Sequence, residues 1–442
     1  MHKRRAPRFV HRFVCLACVA VLSSAPAMAA EVELLRPAEL IKPPDHLKEE
    51  RWRPVSVKGE AFADGERTLA IELFDGERIE VQPRTSFVNP SGSVSWIGDV
   101  AEPDGLVVLI HRDGVTVGSI RLGDAVYMLA YAARGVHVLY EVDESLMKYQ
   151  EMEPTPAAVT AEHRAAARRR AEAVAAAGVL EDDGSIQDLL VVYTAGARSA
   201  VGGQVAIENL IDLGVTETNL SYETSGIHHR LRLVHTQLTD YDEMSVPGCP
   251  RDLLQSPDDG VMDEVHLVRE RYAADLVKLI ADVNGCGRAF IMNDISTAHA
   301  EFAFCFTDHF CVSPGYTFQH ELGHIQAGRH QRTAPQPDSP FNFNFGFTDP
   351  VNRFRTIMAA GDNECPDGCP RRLAWSNPDV LDDETGTPMG IPESDPLPAD
   401  NRKTLNETAW VVANFRVSGA VIFVDGFESG DISAWTGWVQ QD

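Results

Sequence analysis

Residues 320–330 read His320-Glu321-Leu322-Gly323-His324-Ile325-Gln326-Ala327-Gly328-Arg329-His330. On a helix, residues i and i+4 share a face. His320 and His324 can therefore present imidazole nitrogens to one metal ion, and Glu321 beside them can reach a water at that ion. A catalytic zinc takes three protein ligands and keeps one position open. His330 lies six residues past His324, and a chain turn at Gly328 would swing it back to the same ion. A closed structural zinc is disfavoured, since such sites fill four positions with Cys or His. The pattern predicts one Zn2+ held by His320, His324 and His330, with Glu321 as the general base.

Charge narrows the partners. The 442 residues carry 39 Lys+Arg against 65 Asp+Glu, a net charge of -26. Five of the basic residues (Lys3, Arg4, Arg5, Arg8, Arg12) fall in the first 30 positions, which hold no acid. The remainder stands at 34 against 65, which argues against binding nucleic acid by phosphate neutralisation and against docking on anionic lipid. The oligomeric state is not legible.

Residues 1–30 read as a secretory signal peptide: a basic start, an apolar run from Phe13 to Leu22, and Ala27-Met28-Ala29 as the cleavage signal. The run is too short for a permanent anchor, so a secreted protein, soluble once the signal is removed, is expected, with periplasmic transit open. Residues 31–150 form a strand-rich module. Apolar and alternating runs recur at Thr68–Phe74, Ser93–Ile97, Leu106–His111, Ser119–Leu122, Ala125–Ala130 and Val136–Glu141, separated by Asp-Gly turns. An Ala- and Arg-rich linker over 151–184 is the expected processing region, with room for a short polar helix.

From residue 185 to 418 strands alternate with helices. Strands are predicted at Asp188–Thr194, His229–Leu238, Leu276–Val283 and Arg288–Ile291. Helices are predicted at Gln204–Tyr222, Leu253–Tyr272, Tyr316–Ala327 and Lys403–Arg416. The fold class is α/β (α+β), with a mixed twisted sheet beside the zinc-bearing helix. Residues 419–442 stand apart as a C-terminal tail and resemble a short tail seen on many exported bacterial proteins.

Six cysteines remain after the signal: Cys249, Cys286, Cys305, Cys311, Cys365 and Cys369. An even number in an exported chain suggests three disulfides. Pairing sequence neighbours joins Cys305 to Cys311 and Cys365 to Cys369, which leaves Cys249 with Cys286. A calcium site near Asp382-Asp383-Glu384 is conceivable, but a solvated acidic loop is the plainer reading.

The extended histidine run resembles the zinc helix of the metzincin metallopeptidases, whose second mark is a tight methionine turn. Thr356-Ile357-Met358-Ala359 matches that turn. Asp188-Leu189-Leu190-Val191-Val192-Tyr193-Thr194 resembles the first strand of reprolysin-like members. Trp375-Ser376-Asn377-Pro378-Asp379-Val380 and Asn406-Glu407-Thr408-Ala409 resemble the closing segment of bacterial peptidyl-Asp metalloendopeptidases. Ser95-Trp96-Ile97-Gly98 and Tyr127 to Glu144 resemble the propeptides of those proteins.

The resemblance implies protein or peptide substrates, a zymogen, Met358 as an apolar floor beneath the imidazoles, and a preference for Asp or Glu on the primed side of the cut. An arginine near the methionine turn would recognise that acid, and Arg353, Arg355, Arg371 and Arg372 are the candidates. Two departures stand out: Ala327 occupies the usual turn glycine's place, and Gln331 replaces an acid that often follows the third His. Ala360 leaves no tyrosine switch ligand. Latency cannot use a thiol, because the N-terminal module has no Cys; Asp99 is the carboxylate expected to cap the metal. The rival reading is a non-catalytic exported binding protein on a degenerate metzincin domain. The intact Glu321 argues against it, since a binding module has no use for that base.

Overall fold

Alternation of apolar and polar residues builds the N-terminal sheet. Its strands are β1 (Val32–Glu33), β2 (Leu35–Pro37), β3 (Arg51–Val57), β4 (Leu69–Phe74), β5 (Glu77–Val88) and β6 (Val94–Val100). They are joined by β7 (Gly105–Arg112), β8 (Val115–Leu122), β9 (Ala125–Ala133) and β10 (Val136–Glu141). The order is β1-β4-β5-β6-β7-β8-β9-β10-β3-β2. Val107, Leu109, Ile120 and Leu129 point into the module's own core. The alternate residues Val108, Ile110, Val117 and Met128 join a second core shared with the following domain. Both faces are thus buried, which explains why β7 reads as a continuous apolar run from Leu106 to Ile110 and why Thr116 and Ser119 of β8 are buried as well. The runs predicted in this region all became strands. β5 escaped prediction because Glu77-Arg78-Ile79-Glu80-Val81-Gln82-Pro83 is mostly polar, and much of it is exposed.

The computed structural model describes residues 32–39, 51–62, 67–142, 152–334, 338–360, 365 and 368–418. The expected signal peptide at 1–30 and the tail at 419–442 lie outside the described residues. Among the described residues no helix is long and apolar enough to cross a membrane.

The linker contains a two-residue strand, β11 (Thr155–Pro156), and a helix, α1 (Ala161–Ala176). Thr160 caps α1, accepting from the His163 amide while the His163 ring accepts from the Thr160 amide. The second domain carries β12 (Ile186–Tyr193), β13 (Arg230–Leu238), β14 (Leu276–Ala281), β15 (Gly287–Ile291) and β16 (Phe304–Asp308). Sheet order is β11-β15-β16-β14-β12-β13. β15 runs antiparallel to β16, and the other pairs are parallel. The mixed sheet is as expected.

The helices of this domain are α2 (Ala195–Ala200), α3 (Gln204–Thr224), α4 (Pro250–Gln255), α5 (Glu264–Arg271), α6 (Thr317–Ile325) and α7 (Asn401–Ala413). The single helix expected over Leu253–Tyr272 is two. Pro257 forces the preceding Ser256 into an extended conformation, with ψ 124°. β16 was not anticipated. Its residues, Phe304-Cys305-Phe306-Thr307-Asp308, sit in the middle of the sheet, all buried.

That strand also corrects the disulfides. Cys305 lies at the second position of β16 and Cys311 just beyond its end, so the extended chain separates them by far more than a bridge spans. Cys286, just before β15, has its carbonyl bonded to the Asp308 amide at 2.8 Å. The antiparallel pairing delivers it to Cys311, and Cys286–Cys311 forms with a Cα separation of 5.4 Å. Cys365–Cys369 forms as expected. Cys249 and Cys305 are free thiols, so two bridges replace the three expected.

Candidate metal centre and active site

α6 is amphipathic and entirely buried between β15, β16 and α3. One turn of it carries His320 and His324. The helix ends with two reverse hydrogen bonds, Gly328 N–H to Gly323 O at 2.8 Å and Ala327 N–H to His324 O at 3.0 Å. This is the Schellman pattern, with Ala327 in the left-handed position at φ 68°. The turn therefore falls on Ala327 and is not shifted to Gly328. An alanine there costs on the order of 1 kcal/mol relative to glycine. The surroundings enforce it: Arg329 N–H donates to Asn344 O at 2.8 Å, and Gly346 N–H donates to Arg329 O at 2.8 Å.

The turn brings His330 back. The three Nε2 atoms lie 3.1 Å (His320–His324), 3.2 Å (His320–His330) and 3.2 Å (His324–His330) apart. All three residues are at most 2 % exposed. Nitrogens about 3.2 Å apart suit one ion bound at roughly 2.0–2.1 Å from each. Two rings have their other nitrogen engaged: His320 Nδ1 with Ile357 O at 2.8 Å, and His324 Nδ1 with Gly328 O at 2.8 Å. A carbonyl can only accept, so Nδ1 carries the proton and Nε2 keeps its lone pair. Burial, then the nearby Arg371 charge, holds His320 well below the ordinary imidazole range. That keeps the ring neutral, as a metal ligand must be.

Glu321 is 1 % exposed. It lies against the start of β15, where a Cβ on Gly287 would sit 2.7 Å from Glu321 Oε1. Gly287 thus leaves room for the carboxylate beside the histidines. On the far side of the helix Met358 is fully buried. Its turn is stitched by Ile357 N–H to Ala374 O at 2.8 Å and Ala359 N–H to Thr356 O at 3.0 Å. Gln331, at the departure noted in the sequence, accepts the Ala360 amide at 2.8 Å. It therefore ties the third histidine's neighbour to the exit of the methionine turn.

The four arginine candidates separate. Arg355 Nη1 and Arg371 Nη2 both donate to Ala359 O, at 2.9 and 2.7 Å, and both are buried. They rank among the charges acting on His320. Arg353 is exposed, at φ 59°. Arg372 is engaged by Asp124, Asp382 and Glu384. The acidic loop at Asp382 and Glu384 is thus answered by a guanidinium and not by calcium, and Asp382 Oδ2 also accepts from Thr385. Asp99 is not at the metal centre: it pairs with Arg84 on an exposed part of the N-terminal sheet. Besides Glu321, a carboxylate near the histidines is that of Glu153, whose Oε2 lies 3.7 Å from His330 Nδ1.

Several supporting residues were not legible in the sequence. Trp375 donates from Nε1 to Ser221 Oγ at 2.9 Å, and Asn344 holds the turn after α6. Among the described residues a second grouping, Asp282, Asp308 and His309, also has ligand atoms close together. There Asp308 already accepts the Val283 and Phe310 amides.

Comparison with known proteins bears on this geometry. A profile described as "Metallo-peptidase family M12B Reprolysin-like" matches residues 209–331. A peptidyl-Asp metalloendopeptidase from Stenotrophomonas maltophilia is 32% identical over 385 residues, covering 81% of this chain and 86% of that protein. One from Xanthomonas campestris is 30% identical over 376 residues, covering 82% and 85%. The chain belongs to the peptidyl-Asp metalloendopeptidase family. It is a metalloendopeptidase, and the M12 metallopeptidases are zinc-dependent. The metalloproteinase-II crystal structure from Bacteroides fragilis aligns at TM-score 0.38 and 9% identity, over 70% of this chain and 87% of that one. The family's metal requirement and the three converging Nε2 atoms agree.

Proposed function

We propose that this chain is a secreted zinc endopeptidase, made as a zymogen, that cuts next to acidic residues. The observation that carries the chemistry is the convergence of three buried imidazole nitrogens beside a buried glutamate. Zinc, when bound, supplies a Lewis acid that polarises the scissile carbonyl and acidifies water. His320, His324 and His330 hold it. Glu321 takes the proton from the attacking water and delivers it to the leaving nitrogen. Met358 and Trp375 keep the floor of the site apolar and dry. Chelator-sensitive digestion of casein, lost in Glu321→Gln, tests the reading; full activity in that variant sinks it.

The relatives' printed name supports a preference for Asp beside the cut bond, and Arg355 and Arg371 place positive charge at the methionine turn; the primed side, and Glu as a second choice, are what the family resemblance adds. Bidentate guanidinium recognition suits a carboxylate. Cleavage mapping on a peptide library tests this, and cuts without regard to acidic residues reject it.

The linker supports latency. β11 lies along the outer edge of β15, the strand that α6 packs against. An edge strand offers its backbone groups to an extended peptide, and here the linker takes that place while Glu153 faces His330. N-terminal sequencing of the active form tests whether residues 31–184 are removed.

A further inference from the structure

The N-terminal sheet meets the catalytic domain along α3, through β7 and β8. Part of that joint is apolar. The rest is a polar stripe at helical spacing: Glu208, Asn209, Asp212, Thr216 and Glu217. Each of these meets the N-terminal module. Arg112 pairs with Glu208. Asn209 Nδ2 donates to Val115 O at 3.1 Å. The hydroxyls of Ser91 and Ser93 donate to Asp212 Oδ2 at 2.6 and 2.7 Å. Ser95 and Thr216 share a hydrogen bond at 3.1 Å. Ser119 Oγ donates to Glu217 Oε1 at 2.6 Å, and Ser313 Oγ of the catalytic domain at 2.8 Å.

A helix face of this composition is one that water normally covers. Sealed in the joint, two of its three carboxylates lie 2 % (Asp212) and 1 % (Glu217) exposed, with serine hydroxyls as donors, while the third, Glu208, is half-buried against Arg112. Arg121 is the charge acting on Glu217, while Arg112 and Glu208 act on Asp212. Hydroxyls compensate a buried negative charge less well than water or a paired cation.

We propose that this face of α3 is a separable docking surface for the N-terminal sheet, and that proton uptake at Asp212 and Glu217 sets how tightly the sheet is held. The inference rests on reading residues 31–150 as a module of its own and is independent of the zinc chemistry and of natural processing. Burial raises both carboxyls above their ordinary range, Glu217 to about 7. The docked state therefore keeps protons that the released helix gives up. The hold is strongest below the ordinary glutamate range, weakens as pH rises through about 7, and levels off above it. Glu217 alone implies a loss of affinity on the order of 10- to 100-fold between pH 5 and pH 8.

The test uses the full chain carrying Glu321→Gln, with a protease recognition sequence inserted in segment 143–151. After cutting, the dissociation constant of the two pieces is measured from pH 5 to pH 8. The expected result is the 10- to 100-fold weakening, which Asp212→Asn with Glu217→Gln abolishes. Ser119→Ala leaves α3 untouched, removes a donor to the ionised carboxylate, and should move the fall to higher pH. A constant independent of pH, pieces inseparable at every pH, or an unchanged dependence in the double variant overturns the proposal. Because the cut is engineered, an active form that naturally retains its N-terminus would refute the zymogen reading without deciding this one.

Discussion

Gly323 of α6 and Met358 of the methionine turn are in mutual contact: a Cβ on Gly323 would lie 2.5 Å from Met358 Sδ and 2.7 Å from the Trp375 ring. The glycine between the two helical histidines is thus what lets the floor close against the helix. Gly323→Ala gains about 1 kcal/mol of helix propensity but overpacks a fully buried contact, at about 1–3 kcal/mol. A net loss of stability with weaker zinc retention is expected, read from the melting temperature and from zinc content after dialysis against a chelator. A more stable variant with full zinc would refute the contact.

Glu321→Gln should keep the fold and the zinc while losing at least 10²-fold, and up to about 10⁴-fold, in kcat, the range of a general base. Metal analysis alongside the kinetics separates this from loss of the ion, which the histidine variants would show.

Ala327→Gly should stabilise the protein by about 0.5–1 kcal/mol. It relieves a left-handed alanine and gives back part of the gain through a more flexible unfolded chain. Thermal melts of the zinc-loaded protein check this. A lower melting temperature would mean that the alanine methyl contributes packing that outweighs the strain.

These cases show where the sequence was readable. The three histidines proposed as ligands and the glutamate proposed as base fall within one helix and one turn, so local spacing suffices. The strand-rich module was legible for the same reason: alternation is local. The bridge between Cys286 and Cys311 was not, because it depends on β15 lying antiparallel to β16, and β16 itself is too short and central to stand out. Nor could the four arginines be sorted by spacing. Arg371 and Arg372 are adjacent in the chain, yet one turns to Ala359 O beneath the histidines and the other to three carboxylates.

The thiols offer a direct check on that correction. Alkylation without reduction should label two of the six cysteines between residues 249 and 369: Cys249, which is partly exposed, under native conditions, and buried Cys305 only after unfolding. Cys286→Ser should cost about 3.5 kcal/mol, the loop-closure value for a bridge with a sequence separation of 25. Labelling of Cys311 in the unreduced protein would contradict the pairing.

Glu153→Ala should raise the activity of the uncut chain on casein if the linker restrains the metal centre, and zinc content should be unchanged. Equal silence in the variant would assign latency to the covered β15 edge alone.

Arg372 has a consequence for ionic strength. It joins Asp124 of the N-terminal sheet to Asp382 and Glu384 of the catalytic domain. The Asp124 carboxylate is 55 % exposed and that of Asp382 only 3 %. Counterions therefore reach the cross-domain half of the cluster first, and at about 1 M salt the screening length falls to roughly 3 Å, comparable with the separation of this pair. Concentrated salt would loosen the bond to the sheet while Arg372 stays seated against Asp382, so brine and acid act on this joint at different atoms.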